Sequence, residues 1–521
     1  MPVDPDAVII GAGHNSLACA CHLAARGWQV AVYEQAAEAG GAVKTGEYTL
    51  AGYRHDWAAM NLSLFAGSSF HTEHADELAK YGLEFAPTTH PFASVFPDGR
   101  WLGVSQDAAL TTARIRGFSQ DDAAAWTKLT EEFPAEAEAI FSVLGAQMNP
   151  RGAASLAWRT WRKRGTGGTM DLAQFMLKSP RMWLDETFQS EHVKAMLAAW
   201  GMHLDFAPDV AGGAVFPYLE GMAGQAFGMV LGKGGADTIT RAMVAMIKAR
   251  GGSVTCNATV TQIEQAGGRA TGIVLADGTL VRAKKAVIAN VAPSALLKLT
   301  GGTGNARYEA AMRGFKHAPG TMMLHLALDA LPNWCAPELK RFAYVHIAPS
   351  MDQMARTYAQ AKAGLLPDEP MIVCGQPTVV DPARAPAGKH TLWVQVRMVP
   401  AQIKGDAAGE ITARDWETAA APYADRVLDI IERYAPGTRA RILDQYIVTP
   451  QMLEADNPNL VGGDQVCGSH QLHQHFMYRP ARGYADGTTP IRDLYHTGAA
   501  VWPGGGTGAG PGTMLAKKLA C

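Results

Sequence analysis

The chain has 521 residues, of which 48% are hydrophobic and 18% charged, with a formal net charge of −2. That length predicts two or more domains, or one cofactor domain interrupted by insertions, and the composition excludes a wholly disordered chain. The near-neutral charge gives no global electrostatic case for nucleic acid, and no nucleic-acid partner is expected.

The first elements come early. "AVIIGA" is a strand-length run with no basic stretch before it, unlike a secretory signal. No run is long and apolar enough to predict a membrane-spanning helix. Seven dispersed cysteines, at 19, 21, 256, 335, 374, 467 and 521, form no paired metal spacing and fit a reduced, cytoplasmic compartment.

Residues 6–11 read as a buried strand, 14–26 as a helix and 28–34 as a second strand. This βαβ unit is the setting a dinucleotide fingerprint requires. In "GAGHNS", Gly11 allows the tight turn and Gly13 lets backbone approach a pyrophosphate. His14, Asn15 and Ser16 open the helix, whose free N–H groups and positive dipole end face the anion. Ser16 replaces the third, packing glycine; the predicted effect is a slight separation of helix and strand, not loss of the site. Glu34 ends the second strand, where a carboxylate accepts from ribose hydroxyls and repels a 2′-phosphate, so NADP is disfavoured.

Gln35 follows, and then "GGA", which is Gly40, Gly41 and Ala42. This second close backbone approach suits a cofactor that runs on toward a flavin ring. Near the far end, "LYHTGAAVWPGGGTGAGPGTMLAKKLA" reads as a short strand, a glycine-rich loop and a helix. The glycines predict a backbone nest against an anion or a flat ring.

With "GYRHDWAAMNLSLF" and "VLGKGGADTITRAMVAMIKARGGSVTCNATVTQI" added, the chain resembles the phytoene-desaturase-like flavoproteins. That group includes carotenoid desaturases, retinol saturase and the pyridine-nucleotide-disulfide-oxidoreductase-domain proteins, within the glutathione-reductase-like superfamily. The resemblance implies an α/β architecture: a Rossmann-like FAD-binding domain with an inserted α+β substrate domain. It implies non-covalent FAD held by the residues above, with Val260 against the adenine and Gly498, Gly505, Gly506 and Thr507 in the final flavin motif. The FAD domain is placed at 1–75, 225–300 and 485–521, and the substrate domain at 76–224 and 301–484.

Residues 106–205 read as mostly helical, and 320–348 and 371–399 alternate like strands. Within the helical stretch, "RGAASLAWRTWRKR" carries five basic residues and two tryptophans. The preferred reading is a basic surface helix with its tryptophans packed inward; the other is a peripheral membrane contact.

The resemblance places "DQVCGSHQLHQHF" near the flavin ring. His470 and His473 share a face if this turn is helical, and either is a candidate to move a proton during hydride transfer. No further ligand stands at standard spacing, so no metal is expected. Cys467 and His473 stand where relatives often carry histidine and an acid. Asp56, in "GYRHDW", is a third candidate on the flavin side, against the commoner role of bonding loop backbone.

No second dinucleotide fingerprint appears, so electrons leave to oxygen, a quinone or a partner unless the reaction is redox-neutral, as in an isomerase. The first reading is an FAD-dependent oxidoreductase acting at a C–C bond of an apolar, unsaturated substrate. The alternatives are an amine oxidase and a non-enzymatic lipid- or partner-binding protein of the GDP-dissociation-inhibitor kind. Nothing in the sequence points to an oligomeric state.

Overall fold

The structure, a computed structural model, describes residues 4–520. Two sheets organise it. The first is a five-stranded parallel sheet in the order Leu494–His496, Ala286–Ala289, Ala7–Ile10, Val30–Tyr33, Ser253–Thr255. Both faces of it are covered, which is why its central strands are uninterrupted apolar runs. Ala7, Ile9 and Ile288 pack against the helices His14–Ala24, Thr238–Ala249 and Gly510–Leu519. Val8, Ile10 and Val287 turn the other way, onto Ile263 and Ile273 of a three-stranded antiparallel sheet. This is the Rossmann-like arrangement expected for an FAD domain.

Helices His14–Ala24 and Gly510–Leu519 lie very close. A Cβ on Gly512 would stand 1.8 Å from the Asn15 carbonyl oxygen, so no side chain fits there.

The second sheet has seven strands, in the order Ile442–Val448, Gly320–Leu328, His390–Val399, Met371–Gly375, Tyr344–Ile347, Phe92–Val95, Trp101–Val104. The predicted alternating stretches supply four of these. Strand alternation divides each one between two environments. Leu392, Val394 and Val396 pack against the amphipathic helix Trp416–Tyr434. Trp393, Gln395 and Arg397 point to the opposite face, which helices Glu191–Met202 and Val215–Phe227 cover only in part. The space left between them is the site.

The stretch predicted to be helical holds five helices, from Ala108–Arg116 to Glu191–Met202. One expectation is corrected here. Trp158 and Trp161 are not packed inward: they are 57% and 47% exposed and stack on each other, with ring centroids 5.2 Å apart. Their helix, Pro150–Leu177, is broken at Gly165, and the face it turns inward here carries Leu156, Thr160 and Arg164, with the tryptophans off that face. Among the described residues no helix is long and apolar enough to cross a membrane.

Candidate active site

A cavity of about 1460 Å³ runs from the parallel sheet to the inner face of the seven-stranded sheet. Gly11, Gly13, His14, Asn15, Glu34, Gln35, Gly41, Ala42 and Val260 line one end. Gly505, Gly506 and Thr507 line its middle, and Phe133, Phe141, Leu219 and Phe227 its far end. The sequence motifs therefore open onto one space, and His14 Nε2 lies 3.0 Å from the Gly506 carbonyl oxygen across 492 positions of sequence.

Among the helix N-termini on this cavity, those of His14–Ala24, which begins at Gly13, and of Gly510–Leu519, which begins at Ala509, carry no side-chain cap. Helices that begin at Asp107, Ser119, Asn149 and Ser350, away from the cavity, are capped by those side chains. Free N–H groups at a helix start are anion sites. Asn15 Oδ1 is buried there without a partner. The carboxylate of Glu34 accepts from the Ala12 amide (2.7 Å) and the Ala36 amide (2.9 Å) and keeps lone pairs toward the cavity. This donor set fits a dinucleotide whose pyrophosphate lies over Gly13 and whose ribose meets Glu34.

The glycines have a second reason to be glycine. A Cβ on Gly11 would lie 3.0 Å from the Asn290 carbonyl, on Gly13 2.9 Å from Asn290 Nδ2, and on Gly498 2.0 Å from Asn290 Oδ1. Gly11 and Gly498 also have φ of +86° and +100°, which L side chains rarely adopt. Asn290 Nδ2 donates to Ser16 Oγ at 3.0 Å, and that hydroxyl reaches the Gly11 carbonyl at 2.6 Å. Ser16, Gly40 and Gly498 thus stand behind the cavity wall and shape it rather than line it. Sequence reasoning missed Asn290; its one signal is the amide that ends the apolar strand "AVIAN".

His470 lies where the glycine loop turns. It is buried, and its Nε2 accepts from the Gly505 amide at 3.0 Å, which places the ring proton on Nδ1. Burial, with Arg479 nearby, holds it well below the usual histidine range. The expected pairing with His473 is corrected. Residues 472–474 form a single 3₁₀ turn with His473 exposed and away from the cavity. His475 is the partner instead, buried, lining the cavity, its ring 5.5 Å from that of His470.

Asp56 is corrected as well. It does not line the cavity. Its Oδ2 accepts from Arg384 Nη1 at 2.5 Å and its Oδ1 from Thr45 Oγ1 and the Ala236 amide, each at 2.7 Å. Both residues of the ion pair are fully buried; the pair joins the loop at 45–56 to the turn at 382–384, the Ala236 amide joins it to the approach to helix Thr238–Ala249, and both carboxylate oxygens are engaged. Lys44 lines the cavity but is paired with Asp456 at 2.6 Å. Cys467 lines the cavity too, its thiol pushed up to about 12 by burial.

Beyond the histidines the walls are aromatic. Tyr344 and Trp393 stack with centroids 5.8 Å apart, and Trp200 stands beside Tyr344 at 6.2 Å. Glu220 lines the same chamber, and burial raises it to about 7.

Residues 17–413 match the family described as flavin containing amine oxidoreductase. Pyridine nucleotide-disulfide oxidoreductase domain-containing protein 2 of Rattus norvegicus is 29% identical, over 96% of this chain and 90% of its own. The neurosporene-forming phytoene desaturase of Cereibacter sphaeroides is 23% identical, over 98% of this chain and 93% of its own. Among solved structures, an oxidoreductase from Methanosarcina mazei has a TM-score of 0.60 at 18% identity, covering 98% of this chain and 99% of that one, which is a likeness of fold.

Proposed function

The chain belongs to the flavin containing amine oxidoreductase family, and on that premise we propose that this FAD-dependent oxidoreductase acts at a C–C bond of an apolar, unsaturated substrate. The observation that carries the reading is the cavity itself: a nucleotide end rich in backbone donors leads into a chamber walled by Phe133, Phe141, Leu219 and Phe227. Phe133 is buried, whereas Phe141 and Phe227 are 49% and 71% exposed, so this apolar lining reaches the surface and offers an apolar substrate a way in.

FAD supplies hydride acceptance or donation at its flavin N5. The chain's residues do the rest. Gly11, Gly13, His14, Asn15, Glu34, Gln35, Gly41, Ala42, Val260, Gly505, Gly506 and Thr507 bind and orient the cofactor without a covalent bond. His470 and His475, neutral and buried, hold or move a proton at the cavity wall. Oxygen or a quinone takes the electrons. The domain division at 1–75, 225–300 and 485–521 is part of this reading, supported by the parallel strands drawn from those segments. The exposed Trp158 and Trp161 beside Arg159 and Arg162 support peripheral contact with a membrane.

Anaerobic mixing tests the chemistry. Polyenes or unsaturated lipids should change the flavin absorbance, whereas saturated analogues and amines should not. Purified protein without a flavin band would return the binding-protein alternative. One observation favours a second reading, amine oxidation: Glu220 beside Trp200, Tyr344 and Trp393 is a cation-binding combination. Bleaching by amines alone would select it.

A further inference from the structure

Three arginines are buried to 3% exposure or less, and they differ in what their charge meets. Arg384 is paired with Asp56 and Asp381. Arg479 gives its donors to the carbonyls of Cys467, Gly468, Ser469 and Ala499, behind the cavity wall. Arg397 alone of the three lines the cavity.

Its position follows from strand alternation. Residues 393, 395 and 397 share one face of strand His390–Val399, which a purely structural sheet would fill with apolar side chains. Arg397 stands opposite Thr321 on one neighbouring strand and Met371 on the other. Its side chain is 3% exposed, and among the described residues no carboxylate oxygen stands within 4.0 Å of it.

Neutral acceptors hold the guanidinium in place. Nη2 donates to the carbonyls of His203 at 2.7 Å and Met202 at 3.3 Å, Nε to Met202 at 3.3 Å, and Nη1 to Thr321 Oγ1 at 3.0 Å. Those carbonyls end helix Glu191–Met202, where the dipole favours a cation. Of the five guanidinium N–H groups, one on Nη1 is unclaimed. The carboxylates whose charge reaches Arg397, Asp205 and Asp464, are committed elsewhere: Asp205 to Ser469 and Tyr358, Asp464 to the amides of Ala318, Val466 and Gly468. A buried, immobilised cation with no carboxylate in contact, in a wall whose neighbouring side chains, Trp393, Gln395 and His203, are uncharged or neutral, is a built anion subsite.

We propose that Arg397 anchors the head group of the substrate, and that the ligand is an unsaturated molecule with an apolar body and one carboxylate. This rests on the reading of the cavity as a site for an apolar, unsaturated substrate. The carboxylate supplies the missing counter-ion, and the apolar body runs along the Tyr344–Trp393 wall.

The flavin-loaded protein is titrated with linoleate, linoleyl alcohol and linoleylamine, and binding is read by calorimetry and by the flavin spectrum. Linoleate should bind roughly 10- to 100-fold more tightly than the alcohol. Arg397→Gln should erase that preference while leaving the alcohol's affinity in place, and Arg397→Lys should keep part of it. Equal affinities for acid and alcohol in the parent protein overturn the inference alone, whether or not Arg397→Gln folds. So does an acid preference that survives Arg397→Gln. Preference for the amine, or failure of all three to bind, overturns the apolar-substrate reading and the inference with it.

Discussion

Asn290 Nδ2 and Ser16 Oγ are hydrogen-bonded at 3.0 Å across 274 positions of sequence. The bond ties the end of strand Ala286–Ala289 to the first turn of helix His14–Ala24. Around it stand the glycines of two motifs, each too close to Asn290 to carry a side chain. Ser16→Gly should therefore destabilise the protein, by about 1–3 kcal/mol, although it restores the usual motif, because it leaves a buried amide unpaired. Asn290→Ala should do the same and reduce bound flavin. Thermal melts and the flavin-to-protein absorbance ratio measure both, and an unchanged or raised melting temperature in Ser16→Gly would contradict the account.

The Asp56–Arg384 pair separates a structural carboxylate from a catalytic one. Asp56→Asn leaves a buried guanidinium without that partner, which should cost on the order of 3–5 kcal/mol. Lost turnover in a variant with parental stability and flavin content would instead restore Asp56 to the chemistry.

The two histidines of the original pairing should behave differently. His470→Ala frees the Gly505 amide and removes a group from the cavity wall. Flavin content, turnover or both should fall by about tenfold or more. His473→Ala touches neither and should match the parent in spectrum, affinity and rate. Steady-state kinetics on the two variants decide the matter.

Acid should weaken the fold. Burial lowers His14 to about 4, His475 to about 3 and His496 to about 4. These folded values lie below the ordinary 6.5, so their contribution is present above it and is lost as pH falls toward about 4. Melting temperature should drop over that window. Glu220 has the opposite sign: raised from 4.5 to about 7, its contribution is present at low pH and lost as pH rises through about 7. Glu220→Gln should flatten only that upper limb. A melting profile level from neutral to acid pH counts against the histidine assignment.

Trp158 and Trp161 offer aromatic surface next to cations that differ in availability. Arg164 and Lys163 are paired with Glu136 and Glu138, whereas Arg151, Arg159 and Arg162 are exposed. Sedimentation with anionic vesicles should retain the parent protein, and Trp158→Ala with Trp161→Ala should release it. Parent protein that stays in the supernatant at low salt removes the membrane proposal.

The cofactor end was legible because its constraints are local. A turn glycine, a helix start and a strand-ending acid sit within one βαβ unit, and periodicity marked the strands at 320–328 and 390–399. The substrate end was not, because its pairings are distant. His475 replaces His473 through a 3₁₀ turn that spacing alone does not reveal. Arg397, Glu220 and Asn290 look like ordinary strand and helix residues until the chain brings them to one cavity. Asp56 looked chemical because its buried partner, Arg384, is 328 positions away. The tryptophans of Pro150–Leu177 suggest an inward face because they are large and apolar, but the face that meets helix Gln120–Leu144 and its neighbours carries Leu156, Thr160 and Arg164.

The parallel sheet takes its edge strand from Leu494–His496, and the helix Gly510–Leu519 closes over Asn15. During synthesis, then, the first βαβ unit emerges long before the strand and glycine loop that complete its binding surface. A nascent chain halted short of residue 494 has one half of a nucleotide cradle and no flavin loop. The complete cradle therefore waits for residues 494–512, and until they arrive the edge of strand Ala286–Ala289 is open to pairing with another chain.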